Sequence, residues 1–291
     1  MKIRIGYELA FRSSTPTPAI LMLSVHPSRL KDLAAPHRIT FDPPIPSQTY
    51  TDHFGNVCTR VVMPAGNLTI SNDNVVRDSG LPDVVEPDAG QTPVENLPED
   101  SLEFLLGSRY CEIDRLSETA WSLFGRMPPG WGRVQAICDY VHDRLTFSYP
   151  DARSTRTAWD GHQEGLGVCR DFAHLAIALC RCMNIPARYC TGYLGDIGVP
   201  PVPDPMDFSA WFEAFLEGGW YTFDARHNHP RIGRILMARG RDATDVALST
   251  SFGPSSSPTS RSSPMSNYQG HTTEAIVPAL HLFVIMGRTS R

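Results

Sequence analysis

The sequence predicts an α+β fold in which a strand-rich first part is followed by a part that contains helices and strands. In residues 1–85, apolar side chains alternate with polar ones in short runs, which is the pattern of half-buried strands. In residues 101–183, apolar side chains recur at helical spacing, and alternation returns from residue 187. We therefore expect an antiparallel β-sandwich followed by a mixed helix-and-strand domain.

The first strand of the predicted sandwich is the clearest. Its apolar residues are Ile3, Ile5, Tyr7, Leu9 and Phe11, with polar, charged or small residues between them. Glu8 within this pattern argues against a signal peptide, whose apolar segment is uninterrupted. Further strands are predicted at residues 20–25, 38–41, 59–63 and 68–70, where Pro, Gly, Asn and Asp mark the turns.

Residues 86–100 separate the two parts. Their sequence, EPDAGQTPVENLPED, is acidic, contains proline and has almost no large apolar residue, which is typical of a solvated linker. We therefore place the first domain at residues 1–85, the linker at 86–100 and the second domain at 101–253.

The second domain begins with helices. Apolar residues at helical spacing predict helical segments at residues 101–106, 116–124 and 134–145. Residues 147–165 are polar and are expected to form a loop. Because this loop leads directly into the cysteine-bearing helix described next, we expect it to contribute to a substrate cleft.

A buried helix is predicted from Cys169 to Met183. Gly165 and Gly167 precede it, and Asn184-Ile185-Pro186 ends it. Cys169 therefore lies in the first turn, where free backbone N–H groups and the helix dipole lower the pKa of a thiol and can hold an oxyanion. The alternative is that Cys169 is a small buried apolar residue, as most free cysteines are.

A strand at 187–194, a proline-rich connection at 195–206 and a β-hairpin follow. The hairpin comprises residues 207–216 and 220–224, with Glu217-Gly218-Gly219 as the turn. Either Leu216 pairs with Gly219 or Glu217 pairs with Trp220. In both registers Ser209 lies near the end of the hairpin that contains residues 224–228.

The end of the chain differs in composition. Residues 254–291 begin with a Ser/Pro-rich stretch, which buries too little apolar surface to order itself, so we expect a poorly ordered tail. A flexible extension and a shifted reading frame are both open explanations for this stretch.

Composition limits the kinds of partner and the cellular compartment that we expect for this protein. The chain has 291 residues, a net charge of −5, 41% hydrophobic residues and 20% charged residues, which favour neither nucleic acid nor a membrane as partner. The apolar run at 276–286 is too short to span a bilayer. Seven scattered cysteines fit reduced thiols in the cytoplasm better than a disulfide framework.

Two pairs of segments carry a family resemblance. The first pair is GVCRDFAHL at 167–175 with NIPARYxxGY at 184–193, and the second is DFSAWFE at 207–213 with WYTFDAR at 220–226. These segments resemble the transglutaminase-like superfamily, in its bacterial cysteine-protease-like branch, over roughly residues 101–253. The β-rich first domain resembles the N-terminal domain of bacterial members. The resemblance implies a papain-like transglutaminase core, in which the cysteine helix packs on an antiparallel sheet.

The resemblance also implies a Cys-His-Asp triad, which the sequence supplies only in part. Cys169 matches the nucleophile and Asp224 the carboxylate, but Ser209 occupies the position of the family's histidine. Serine has no titratable group near neutral pH and cannot act as the base. His227 and His229 are the substitutes that spacing allows, and His227 is the better candidate.

Two functions are compatible with this pattern. The leading hypothesis is a cysteine hydrolase that acts on peptide or isopeptide-type amides of a peptide or protein substrate, without a cofactor. The alternative is a catalytically silent module that binds peptides, because Ser209 replaces the histidine. A metal site is not expected at Cys180 and Cys182, since i and i+2 face apart on a helix, and a redox role lacks a C-x-x-C pair.

Overall fold

A computed structural model describes residues 1–200 and 208–253, together with the backbone of residues 255–259 and 274–276. The strands of the first part are β1 (Lys2–Ser13), β2 (Thr17–Leu21), β3 (Thr40–Asp42), β4 (Ser47–Thr51), β5 (Val57–Met63) and β6 (Gly66–Arg77). The second part contains α1 (Ile113–Phe124), α2 (Trp131–Arg144), β7 (Thr146–Phe147), α3 (Ala158–Glu164), β8 (Leu166–Gly167), α4 (Cys169–Cys182), β9 (Ala187–Tyr193), β10 (Ser209–Leu216), β11 (Gly219–Phe223) and β12 (Ile235–Gly240). Three short strands follow, β13 (Ser249–Ser251), β14 (Ser255–Thr259) and β15 (Glu274–Ile276), and short 3₁₀ helices lie at Pro27–Asp32, Val94–Asn96 and Glu99–Leu105.

The first part forms the predicted sandwich of two sheets. One sheet has the order β14-β1-β6-β3, with β15 also paired to β1, and the other has the order β13-β2-β5-β4. β1 buries alternate residues, as its sequence predicts, and pairs with β6 along its whole length. Apolar side chains from both sheets form one cluster that also includes Tyr193, Ile235 and Met237 from the second part. The sandwich therefore packs directly on the second part.

The second part is built around α4 and an antiparallel sheet with the order β11-β10-β9-β12. Every residue of α4 from Arg170 to Cys182 is buried. Ala210, Phe212 and Ala214 of β10 belong to the same apolar cluster as the side chains of α4. These three alternate residues form the face of the sheet on which the helix packs, and the predicted helix-on-sheet core is confirmed.

The hairpin adopts the first of the two predicted registers. Leu216 pairs with Gly219, and Phe212 pairs with Phe223. Gly218 and Gly219 have φ values of 92° and 136°, which residues with a side chain rarely adopt. The two glycines therefore fix the turn, and the turn fixes where Asp224 leaves the sheet.

The prediction that residues 147–165 form a loop is wrong for their second half. Residues Ala158–Glu164 form α3, which a capping box starts and Gly165 ends at a φ of 69°. The Thr157 hydroxyl accepts a hydrogen bond from the backbone of Asp160 at 3.2 Å, and Asp160 accepts one from the backbone of Thr157. The T-x-x-D pattern was the available signal, and the polar composition obscured it.

The segment predicted as a linker lies along the second part. Ala89 is buried, and its carbonyl accepts a hydrogen bond from the backbone N–H of Trp131 at 2.9 Å. The carbonyl of Gly90 accepts one from Glu217 at 2.8 Å, and the Gln91 side chain donates to the carbonyl of Met183 at 3.0 Å. The division into domains at residues 86–100 stays a prediction.

Two further predictions fall mostly on residues outside the described part. The stiff connection at 195–206 overlaps residues 201–207, which are not described. Of residues 254–291, only β14 and β15 are described, and both pair with β1. The poorly ordered tail therefore stays a prediction. Within the described ranges, the helices are too short or too polar to cross a bilayer.

His174 lies in the middle of α4 and is fully buried. Its Nε2 accepts a hydrogen bond from the backbone N–H of Ala243 at 3.1 Å, and its ring stacks on Tyr110. Burial, together with the charge of Arg170, lowers the pKa of His174 to about 3. The imidazole is therefore neutral in the folded protein near pH 7 and serves as a hydrogen-bond acceptor in the core.

The depressed pKa of His174 predicts acid-sensitive stability. Because the unfolded histidine has a pKa near 6.5, its contribution is complete above pH 6.5 and falls by about 1.4 kcal/mol per pH unit as the pH drops toward 3. His174→Gln keeps an acceptor near Ala243 but cannot titrate. Urea unfolding at pH 6.5 and 4.5 should show a loss of stability about 2 kcal/mol smaller for the variant than for the wild type. Equal losses in the two proteins would contradict this linkage.

Candidate active site

Cys169 is the first residue of α4, and buried charges hold the start of this helix in place. Asp171 is fully buried, and its carboxylate accepts a hydrogen bond from the backbone N–H of Val168 at 3.0 Å. The same carboxylate forms ion pairs with Arg156 at 3.3 Å and Arg170 at 3.0 Å. Since a buried carboxylate requires such partners, the first turn of α4 has a fixed position.

Cys169 differs from the other six cysteines in exposure. It is partly exposed, whereas the other six are buried, and none of the seven, which all lie in the described ranges, forms a disulfide. Burial raises the pKa of each of those six thiols, to about 12 for Cys111 and about 11 for Cys182. Cys169 therefore combines partial exposure with a place at the start of a helix, a setting that favours a reactive thiol.

Asp224 follows β11 and is buried among hydrogen-bond donors. One carboxylate oxygen accepts hydrogen bonds from the backbone N–H groups of Arg226 and His227 at 3.0 and 3.1 Å. The other accepts one from the Arg234 guanidinium at 2.9 Å. Burial alone would raise the pKa of Asp224, but the charge of Arg234 and the contacts from His227 outweigh it and lower the pKa. Asp224 is therefore ionised near neutral pH.

His227 binds the second carboxylate oxygen of Asp224 through Nδ1, at 2.8 Å. An ionised carboxylate can only accept, so Nδ1 carries the proton and Nε2 is left as the basic nitrogen. Burial lowers the pKa of His227, and the contact with Asp224 opposes this effect only in part. The pair has the form of an oriented, neutral base.

The turn that carries this pair is linked to the first turn of α4 through the ring of Phe147. The Arg226 guanidinium is 3.8 Å from the ring centroid of Phe147, and that ring is 6.4 Å from the ring of Phe172, one helical turn after Cys169. β7, which contains Phe147, pairs with β8, the strand that leads into α4. The fold therefore brings residues 224–227 and the start of the cysteine helix to the same region.

Ser209 begins β10 and pairs with Gly192 of β9. Its side chain is buried, and its hydroxyl has no hydrogen-bond partner among the described residues. Extending the hairpin register from the Phe212 and Phe223 pair places Ser209 across from Arg226. His229, the other substitute considered, donates from Nδ1 to the carbonyl of His227 at 2.7 Å, so His227 and not His229 binds the carboxylate.

The sequence did not identify Arg234 or Asp83 as members of the site. Arg234 donates to Asp224 and also to Asp83, at 2.9 and 2.8 Å. The signal for Arg234 was a charged residue within the apolar stretch IGRIL. Asp83 precedes the predicted linker, and its contact with Arg234 joins residues 151 positions apart. Local sequence patterns do not reveal contacts between residues that are so far apart in the chain.

Comparison with known proteins identifies the family. The model of the transglutaminase-like superfamily matches residues 122–225, which include Cys169 and Asp224. An uncharacterized protein of Mycobacterium tuberculosis is 30% identical over 243 residues, which cover 75% of this chain and 76% of that protein. The chain belongs to the transglutaminase-like superfamily. His227, the proposed base, lies just beyond the matched region.

Two other similar proteins agree with this family. An uncharacterized protein of Mycobacterium leprae is 26% identical over 221 residues, which cover 72% of this chain and 77% of that protein. The crystal structure of a candidate cysteine protease from Cytophaga hutchinsonii has a TM-score of 0.76 and 29% identity, and the match covers 96% of each chain. The similarity to the Cytophaga protein extends through the sandwich as well as the core.

Cys169 should be the thiol that reacts first with an electrophile. Cys182, with a pKa of about 11, is ionised only to on the order of 10⁻⁴ at pH 7. Limited iodoacetamide treatment followed by peptide mass spectrometry should show modification at Cys169 before any other cysteine, and Cys169→Ser should leave the folded protein almost unlabelled. Preferential labelling of Cys138 or Cys180 would contradict the assignment.

Proposed function

We propose that this member of the superfamily is a cysteine hydrolase that cleaves peptide or isopeptide-type amides through a thioester intermediate. The observation that carries the proposal is the Asp224–His227 contact of 2.8 Å, in a turn that Phe147 links to the helix whose first residue is the partly exposed Cys169. A carboxylate, a neutral imidazole and an accessible thiol are the groups that thiol acyl transfer requires.

In the proposed reaction, His227 Nε2 takes the proton of the Cys169 thiol as Sγ attacks the amide carbonyl carbon. The C–N bond then breaks, and the imidazolium returns this proton to the leaving amine. A water molecule attacks the thioester, gives its proton to His227, and the C–S bond breaks to release the acid. The proton returns to the thiolate. Asp224 stays ionised throughout and stabilises the imidazolium.

The first turn of α4 supplies the second catalytic element. The first backbone N–H groups of a helix have no carbonyl partner within the helix, and such donors stabilise the oxyanion that forms when the carbonyl is attacked. Because the ion pairs of Asp171 fix this turn, the donors need not reorganise during the reaction. Water as the acyl acceptor is supported by the Cytophaga hutchinsonii relative, which is described as a candidate cysteine protease.

A peptide-binding module without catalysis is the second candidate. The buried Ser209 hydroxyl, which lacks a partner among the described residues, stands where the resemblance places the catalytic histidine. If the base can be supplied only from that position, the cleft binds an acyl group without cleaving it. The two candidates differ in what His227 contributes.

Replacing His227 should strongly reduce hydrolysis. General-base assistance is worth roughly 10²–10⁴-fold, so His227→Ala should lower kcat/KM by that factor. His229→Ala is the matched control, since His229 is exposed and hydrogen-bonds to the carbonyl of His227 rather than to Asp224. Peptide mixtures analysed by mass spectrometry would reveal cleavage.

The wild-type kcat/KM should rise with pH and then level off. The midpoint of this rise should lie below pH 6.5, because the pKa of His227 is lowered.

Ser209→His provides a complementary test. If His227 is the base, the added imidazole should change kcat/KM by less than about tenfold. A large gain in activity would show that the base belongs at residue 209 and that His227 does not supply it. A protein that binds peptides with Cys169 intact, yet cleaves none before or after the substitution, would favour the binding module.

A further inference from the structure

Four side chains form a continuous row that ends at the proposed base. Asp83 accepts a hydrogen bond from Arg234 Nε at 2.8 Å, Arg234 Nη2 donates to Asp224 at 2.9 Å, and Asp224 accepts from His227 Nδ1 at 2.8 Å. The side chains of Arg234 and Asp224 are almost completely buried. The central Arg234–Asp224 link is therefore an ion pair shielded from solvent, where electrostatic interactions are strong.

Asp83 is itself fixed by its backbone. Its N–H donates to the carbonyl of Arg231 at 2.9 Å, and its carboxylate accepts from the N–H of Arg231 at 2.9 Å. The neighbouring Pro82 forms an isolated β-bridge with Ile232. Asp83 lies between β6 and the 86–100 segment, outside the region that matches the family. It is thus a residue from the sandwich side that is held against the core.

The row places one cation between two anions. Arg234 neutralises part of the charge of both Asp83 and Asp224, and its guanidinium also lies 5.1 Å from the ring centroid of Trp211. Without the Asp83 carboxylate, the full charge of Arg234 would act on Asp224 alone. The negative potential that Asp224 presents to His227 would then fall, and one of the two contacts that orient the guanidinium would be lost.

We propose that Asp83 is a positioning residue for the Asp224–His227 pair and acts on it through Arg234. The inference deepens the proposed function, on which it rests for its catalytic meaning. It assigns the sandwich side of the molecule a part in the active site: the sandwich side supplies the anion that holds Arg234 in place.

Several groups other than Asp83 influence the pKa of His227. Asp224 favours the charged imidazole, whereas Arg226 and Arg231 disfavour it. The ring of His229 lies 6.2 Å away. From α2, His142 contacts the carbonyls of Ala225 and Arg226, and Asp139 accepts from Asn228. All of these groups are unchanged in the variants that follow.

The test is an NMR titration of the His227 ring in the full-length protein. The His227 Cε1–H signal is assigned by its absence in His227→Ala. In Asp83→Asn, loss of a negative charge that contacts Arg234 should lower the pKa of His227 by roughly 0.5 to 1. Asp83→Glu restores the charge and should return the pKa toward that of the wild type. Asp78→Asn is the matched control. Asp78 pairs with Arg29 at 2.9 Å, and Arg29 contacts Arg234 at its backbone carbonyl and not at its guanidinium.

Each outcome decides the proposal. A lowered pKa in Asp83→Asn, with no change in Asp78→Asn, supports it. An unchanged pKa in a folded Asp83→Asn overturns it. Asp83→Ser is the second neutral variant, and failure of both neutral variants to fold, judged by near-UV circular dichroism, overturns it as well, since Asp83 would then be needed for the fold as a whole. The titration does not depend on turnover, so an inactive protein would refute the proposed function and leave this inference standing.

Discussion

The burial of α4 against the central sheet is the contact on which the rest of the second part depends. Helices α1, α2 and α3 pack around α4 while β9 and β10 cover its remaining side. Each large apolar side chain removed from water contributes about 1.5–3 kcal/mol, and α4 buries its residues on all sides. A helix enclosed in this way cannot shift along its axis without opening cavities, so the position of its first residue is set by the whole core.

The geometry of the site depends on two carboxylates that are buried but fully partnered. Asp171 at the start of α4 and Asp224 after β11 each lie where water does not reach, and each is held by arginines and backbone N–H groups. Buried ion pairs add little net stability, because desolvation opposes the attraction. Their effect here is geometric: one fixes the thiol-bearing turn, and the other fixes the imidazole.

The sequence predicted those parts of the fold that depend on neighbouring residues. Alternation identified β1, the glycines before Cys169 marked the start of α4, and the Gly-Gly turn located the hairpin but left two registers open, of which the structure adopts the first. The sequence also indicated His227 as a candidate base, because it lies three residues after Asp224 in one turn. The sequence did not indicate Arg234 and Asp83, since their pairing depends on how the sandwich packs on the core. The short helix α3 was missed because its capping signal is brief and its composition is polar.

The strand β13 follows the core in sequence but belongs to the sandwich. Ser249 pairs with Leu21 and Ser251 with Ala19, at the edge of a sandwich sheet. On the ribosome, β2 therefore has an open edge until the core and the residues after it have been synthesised. Such edges are prone to pair with other chains. Completion of the sandwich is thus a late event in synthesis, and chains that terminate early would leave this edge exposed.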